Sequence, residues 1–269
     1  MKVHDLTNGN KILVGENVSF NEKNILFTGK GGGNNIAVLD KDLQLHKKST
    51  INFCGSNSVA FLSSNTMPYC VNISVANNQA LYFGKNIYLN PNNAFLRIRL
   101  SEQKHLIIGD RCRISFGVWI RFADHPVYSI DTHERINPSK SVFIGDRVWL
   151  GQNALILNGT HIGSGSIIGA HAVVSGKKIP SNTSWAGNPA RQVKDRIFWV
   201  NGLSTANWTN AETAKYQIRN PEAYTYSRDE STCSFDEIDR RLTEAPTADA
   251  RLNILLELSN NTAKNRFAI

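Results

Sequence analysis

Residues 144–174 read IGDRVWLGQNALILNGTHIGSGSIIGAHAVV, and the spacing within this stretch decides the fold. An aliphatic residue recurs at every sixth position: Ile144, Leu150, Ile156, Ile162, Ile168 and Val174. Four places after each of the first five stands a compact residue: Val148, Ala154, Thr160, Ser166 and Ala172. Gly follows the aliphatic residue at Gly145, Gly151, Gly163 and Gly169. A six-residue period fits neither an α-helical turn nor a helical hairpin; it fits a short strand followed by a corner. Three such units close one triangular coil. Stacked coils then gather the aliphatic residues into one continuous core and leave the corners to Gly, Asn and Asp. The expected fold class is all-β, a hexapeptide-repeat parallel β-helix.

Working outward, Ile108, Ile114 and Ile120 keep the same phase, with Cys112 and Val118 in the second slot. The regular coils are therefore expected over residues 102–194. Residues 1–101 read as longer, irregular coils of the same solenoid. Ile25-Leu26-Phe27-Thr28-Gly29 returns as Ile51-Asn52-Phe53-Cys54-Gly55, with Asn-rich corners at Asn34-Asn35, Asn57 and Asn77-Asn78. Residues 195–269 depart from the pattern. Ser234 opens a capping box with Glu237 ahead of Ile238 and Leu242, and 248–258 is Leu-rich. These features predict a small helical appendage that packs on the solenoid or on a neighbouring subunit.

Composition narrows the function classes. With 41% hydrophobic and 19% charged residues the chain reads as an ordinary folded protein. Its first twenty residues lack the apolar run of a signal peptide, and no later segment is apolar over enough length to span a bilayer, so a cytoplasmic location is expected. Cys54, Cys70, Cys112 and Cys233 form no CxxC pair and read as buried free thiols. The formal net charge of +8 invites a nucleic-acid partner, but the Lys and Arg residues are scattered and carry no nucleic-acid fold signature. A basic surface suits an anionic sugar polymer or a cofactor's phosphates equally well.

The regular repeat is broken once. After Ile120, Asp124 takes a slot that should be small and apolar, and His125-Pro126 leads out into the polar loop 126–140, PVYSIDTHERINPSK. The repeat then resumes in phase. A loop thrown from a rigid scaffold is a usual seat of function, because the scaffold fixes its base. His125 stands at that base.

The run IGDRCRISFGVWIRFADHP (108–126), the loop, the opening repeat and the closing WAGNPARQVK (185–194) together resemble the hexapeptide-repeat acyltransferases, over residues 106–195. The loop HPVYSIDTHERIN (125–137), with Trp149 following in RVWLG, is most similar to the sialic-acid-capsule and polysialic acid O-acetyltransferases. The resemblance implies a left-handed β-helix, a homotrimer with active sites at the clefts between solenoids, and acetyl-CoA as co-substrate. It also implies that His125 deprotonates the acceptor hydroxyl, with Trp149 as its catalytic partner. The galactoside and maltose acetyltransferases carry an Asn in the coil before the His; the matching position here is Arg97, which sets this chain apart from them.

Each candidate has a plainer reading beside it. Trp149 either positions the acceptor or carbonyl or supports the loop. Glu134 can orient the imidazole, Arg135 can pair with Glu134 or with an anionic acceptor, and His133 can touch substrate or simply face solvent. Tyr128 is a substrate contact or packs the loop down. For acetyl-CoA, family position implies backbone contacts at Gly151, Gln152 and Ala170, phosphate contacts from Lys177, Lys178, Arg191 and Lys194, and adenine stacking on Trp185; solvated surface charge and coil closure are the alternatives. A backbone N–H near Gly151 or Gln152 is expected to meet the oxyanion. His4, His46, His105, His161 and His171 read as surface or corner residues.

Three other functions compete. A non-catalytic solenoid explains the repeat but not the His-Pro loop. A γ-type carbonic anhydrase needs three His on neighbouring coils with an H-x4-H spacing, which the seven His here do not supply, so no metal is expected. An N- or O-acetyltransferase acting on an aminosugar or antibiotic remains the nearest alternative.

Overall fold

The computed structural model describes residues 1–90, 95–201 and 205–269. Its body is the left-handed parallel β-helix, with three sheets as the three faces of a triangular prism. The first face holds nine strands: Lys2–Asp5, Lys11–Val14, Ile36–Leu39, Val59–Leu62, Ala80–Phe83, Leu106–Ile108, Val142–Ile144, His161–Ile162 and Lys178–Ile179. The second holds Ile25–Phe27, Thr50–Phe53, Val71–Val75, Leu96–Arg99, Trp119–Arg121, Leu155–Leu157 and Val173–Val174. The third holds Tyr88–Leu89, Arg113–Ile114, Trp149–Leu150, Ile167–Ile168, Ser184–Ala186 and Arg191–Lys194. Pairing is parallel throughout, except for an antiparallel hairpin at each end, Lys2–Asp5 with Lys11–Val14 and Ser184–Ala186 with Arg191–Lys194.

The aliphatic column behaves as its spacing requires. Ile108, Ile114, Ile120, Ile144, Leu150, Ile156, Ile162, Ile168 and Val174 are each at most 2% exposed and form one core with Val148, Ala154 and Ala172. At about 1.5–3 kcal/mol for each large side chain buried, this column is the main stabilising element of the regular coils. In the earlier coils the third face is reduced to isolated bridges, Ser19 with Gln44 and Leu45 with Tyr69, which is why those coils read as irregular.

Corners turn through left-handed backbone. Between first and third faces the turning residues are Asn86, Arg111, Arg147 and Asn182; between third and second, Gly117, Asn153 and His171. Gly117 has φ +73°, and a Cβ there would lie 2.0 Å from Asn153 Oδ1, so any side chain would be strained and would have to displace Asn153.

The appendage covers the first face. Helices α1 (Asn210–Lys215), α2 (Phe235–Glu244) and α3 (Ala248–Asn260) lie in this segment. Outward side chains Val38, Phe61, Tyr82, Ile107 and Phe143 are buried with Phe235, Leu242, Leu255 and Phe267 of the appendage. Of the two roles expected for this segment, packing on the solenoid is the one seen. The capping box is half made: Ser234 Oγ accepts the Glu237 N–H, but the Glu237 carboxylate pairs with Arg240 at 2.6 Å. Inside the interface, Arg266 makes a two-pronged ion pair with Asp146, 2.9 and 2.8 Å.

Two expectations are corrected here. Of the residues read as surface or corner positions, His105 does lie at a corner but is fully buried, and His161 lies on a strand beneath Phe235, because helix α2 closes over that corner and face. Cys54 is exposed rather than buried, although no cysteine forms a disulfide. Among the described residues no helix is long and apolar enough to cross a membrane.

Candidate active site

His125 leaves the second face just after Trp119–Arg121, at the corner that leads to the first face. Its side chain is exposed, and among the described residues nothing hydrogen-bonds its imidazole. Its backbone is fixed: the His125 carbonyl accepts from Asn137 Nδ2 at 2.9 Å, and Asn137 Oδ1 accepts the Val127 N–H at 2.7 Å. Asp124 pairs with Arg121 at 2.5 Å, so the residue that breaks the repeat also ties the loop's root to the strand before it.

The loop is a small hairpin. Ile136 N–H donates to Val127 O at 2.9 Å, Tyr128 bridges to Arg135, and Ser129 and His133 close the tip. A latch that the sequence reading missed holds it down. Glu102 accepts from Arg135 Nη2 at 2.6 Å and from the Ser139 N–H at 2.9 Å, and the Arg135 guanidinium holds the Glu102 carboxyl below its ordinary pKa. Glu102 sits in left-handed backbone with Gln103, a corner geometry uncommon outside Gly, Asn and Asp.

The other loop candidates fall as follows. Arg135 pairs with Glu102, not Glu134. Glu134 is exposed at the hairpin tip, away from the root that carries His125, and its carbonyl accepts from Ser129. His133 is an exposed tip residue with φ +57°. Tyr128 does not pack the loop down; it is 59% exposed, because the hairpin stands off the coil.

Trp149 projects outward from the third face, with its indole N–H donated to Ser115 Oγ at 3.1 Å and its ring 6.0 Å from Trp199. In a triangular prism, the corner between second and first faces lies opposite the third face. One chain therefore does not bring His125 and Trp149 together.

Gln152 and Ala170 stand exposed on successive coils of the corner between third and second faces. Gly151, beside them, would place a Cβ 2.6 Å from Ala170 N, so its bare backbone permits this close stacking. The Gly151 N–H is already donated to Ile168 O at 2.7 Å and is no free donor. Among the described residues the Gln152 and Ala170 N–H groups donate to nothing. The four basic candidates are divided. Lys177 lies at the corner between second and first faces and Lys178 opens the first-face strand Lys178–Ile179, paired to Asp236 at 2.9 Å, while Arg191 and Lys194 are exposed on the last strand of the third face. Trp185 is half-buried, packs on the core and donates to Thr183 Oγ1 at 3.1 Å.

The site also includes a groove on the second face that the sequence reading did not assemble. Arg97, Arg99, Trp119 and Arg121 line it, with Ala123 at its rim. The alternation of Leu96-Arg97-Ile98-Arg99-Leu100 was its signal, since a strand sends every second residue outward.

Comparison with known proteins agrees with this fold. Residues 141–176 match the family model "Bacterial transferase hexapeptide (six repeats)". The solenoid is similar to those of the hexapeptide-repeat acyltransferases. In particular it resembles the polysialic acid O-acetyltransferases. The enzyme of that name from Neisseria meningitidis is 34% identical over 38% of this chain and 48% of its own length; that from Escherichia coli O1:K1 / APEC is 32% identical over 38% of this chain and 33% of its own. The solved structure of the polySia specific acetyltransferase NeuO superposes with a TM-score of 0.65, at 28% identity over 74% of this chain and 82% of that one. The structure of the polysialic acid O-acetyltransferase OatWY gives 0.55, at 26% identity over 72% and 93%. The chain spans half or less of the length of the two curated relatives.

Proposed function

We propose that this protein transfers acetyl from acetyl-CoA to a hydroxyl of a sugar acceptor, in a capsular polysaccharide that contains sialic acid. The observation that carries the reading is His125: an exposed imidazole with no partner of its own, on a loop root pinned by Asn137 and latched through Glu102. A sugar hydroxyl is a weak nucleophile, so a base must take its proton as the oxygen attacks. Histidine suits the task, with an unperturbed pKa of about 6.5. In the proposed step the acceptor O–H proton passes to the imidazole, the oxygen bonds to the thioester carbonyl carbon, and the tetrahedral oxyanion collapses as the C–S bond breaks. The imidazolium then returns its proton to the departing CoA sulfur. The free N–H of Gln152 or Ala170 supports the oxyanion or the pantetheine arm.

His125 and the Trp149–Gln152 side lie on different sides of one solenoid, so the reading includes a homotrimer. The cleft between copies sets one copy's His125 against the next copy's Trp149. Because Lys178 is held by Asp236, cofactor phosphates are assigned first to Arg191 and Lys194. The test is a panel of sialic-acid-containing and neutral polysaccharides incubated with acetyl-labelled acetyl-CoA. Base-labile label in an acidic polymer supports the proposal, and base-stable label in an aminosugar favours amide formation instead. No label in any hydroxyl acceptor removes it.

A further inference from the structure

The groove on the second face is charged beyond what folding requires. Arg97 lies opposite Trp119 and Arg99 opposite Arg121 in register, so three guanidinium groups share two neighbouring strands. Like charges on adjacent strands cost stability. Only Arg121 has an acidic partner, Asp124; among the described residues neither Arg97 nor Arg99 meets a carboxylate. The nearby acid, Glu102, is spent on Arg135 and Ser139. The Arg97 and Arg121 guanidinium groups lie 5.9 and 5.6 Å from the centre of the Trp119 ring, and among the described residues its buried indole N–H has no acceptor. A buried donor left unpaired costs free energy that a bound oxygen would recover. The groove measures about 510 Å³, within the range of small-molecule sites. It runs to Ala123, two residues before His125.

We propose that this groove is an acceptor subsite that grips the carboxylate of an acidic sugar, with Arg97 and Arg99 as the carboxylate forks and Trp119 as the wall beneath the ring. Guanidinium groups match carboxylates with paired hydrogen bonds, and an indole offers an apolar face with one polar edge. The charge is local. Along the same face the outward residues become Leu155, Leu157 and Val173 on one side, and Asn72 and Ser74 on the other. A polyanion bound along its backbone, such as a nucleic acid, calls for a longer basic stripe. The inference deepens the transferase reading and depends on it only for the role of His125.

The test measures binding apart from transfer. A short sialic acid oligomer and the same oligomer with its carboxylates converted to amides are titrated against the full chain by calorimetry. The wild type is expected to prefer the acid form and to weaken as salt rises. Arg97→Gln with Arg99→Gln should lose at least about tenfold for the acid form only, as for a lost hydrogen bond to a charged group. Arg97→Lys with Arg99→Lys should recover part of it, and melting temperatures report that all variants fold. Equal wild-type affinity for both forms, an unchanged double variant, or tighter arginine-dependent binding of a single-stranded oligonucleotide overturns the proposal. Arginine-dependent acid binding without any acetyl transfer keeps this subsite and overturns the transferase reading. Transfer to a neutral sugar with no acid preference does the reverse.

Discussion

His125 and Trp149 stand on opposite sides of the solenoid, one at the corner between second and first faces and the other on the third face. If both serve one reaction, they do so from different copies. Mixing His125→Ala and Trp149→Ala chains in one assembly should then restore sites that hold both wild-type residues, roughly a quarter of the total for random threefold mixing. Separate homo-oligomers of each variant provide the baseline. No gain on co-assembly, or a sedimentation mass of one chain at micromolar protein, refutes the shared site.

Replacing His125 alone should cost roughly 10²–10⁴ in kcat, the usual worth of a general base. Fold and acetyl-CoA affinity should hold, since the side chain is exposed and packs against nothing in the core. Retention of more than about a tenth of wild-type kcat would move the role elsewhere on the loop.

Glu102→Gln should loosen the loop and lower kcat by about tenfold or more, because an error of ~1 Å in positioning a catalytic group can cost as much as 10²-fold. The Arg135 interaction lowers the Glu102 pKa from its ordinary 4.5, so the latch's stabilisation is complete above that value and is lost as pH falls through the lowered one. Kinetics of wild type and variant should therefore differ at neutral pH and converge in acid.

Stability should fall on acidification for a separate reason. Burial, with the nearby Arg251 and Lys104 charges, holds the His105 pKa at about 3, and its Nδ1 accepts the Ala80 N–H. The native state keeps this ring neutral while the unfolded chain protonates near 6.5. The stabilisation is complete above about pH 6.5 and is lost as pH falls toward 3, at up to about 1.4 kcal/mol per pH unit. His161, also shifted down by burial, adds in the same direction. Melting temperatures between pH 7.5 and 5 should fall for the wild type and fall less for His105→Asn.

Arg266→Ala should lower stability by about 3–5 kcal/mol, because it strands the buried Asp146 carboxylate. Urea unfolding measures this directly, and a change within about 0.5 kcal/mol would show the pair to be dispensable.

By itself the sequence determined the prism. A six-residue period places Ile144, Leu150 and their successors inward whatever surrounds them, because strand alternation and corner geometry are local, and burial of the column follows from stacking alone. It also marked the loop root, since Asp124 and His125-Pro126 break a pattern that is otherwise strict. Only the tertiary structure decided which side of the prism each candidate occupies. Trp149 and His125 are 24 positions apart along the chain, but the face on which a residue lands depends on how many corners intervene, and the loop fills one of those corners. The Glu102–Arg135 latch and the buried His105 were invisible, and the arginine groove was marked on one strand only, for a related reason. Each joins residues from different coils or from the appendage, and pairing between coils is set by their vertical register rather than by any spacing within one.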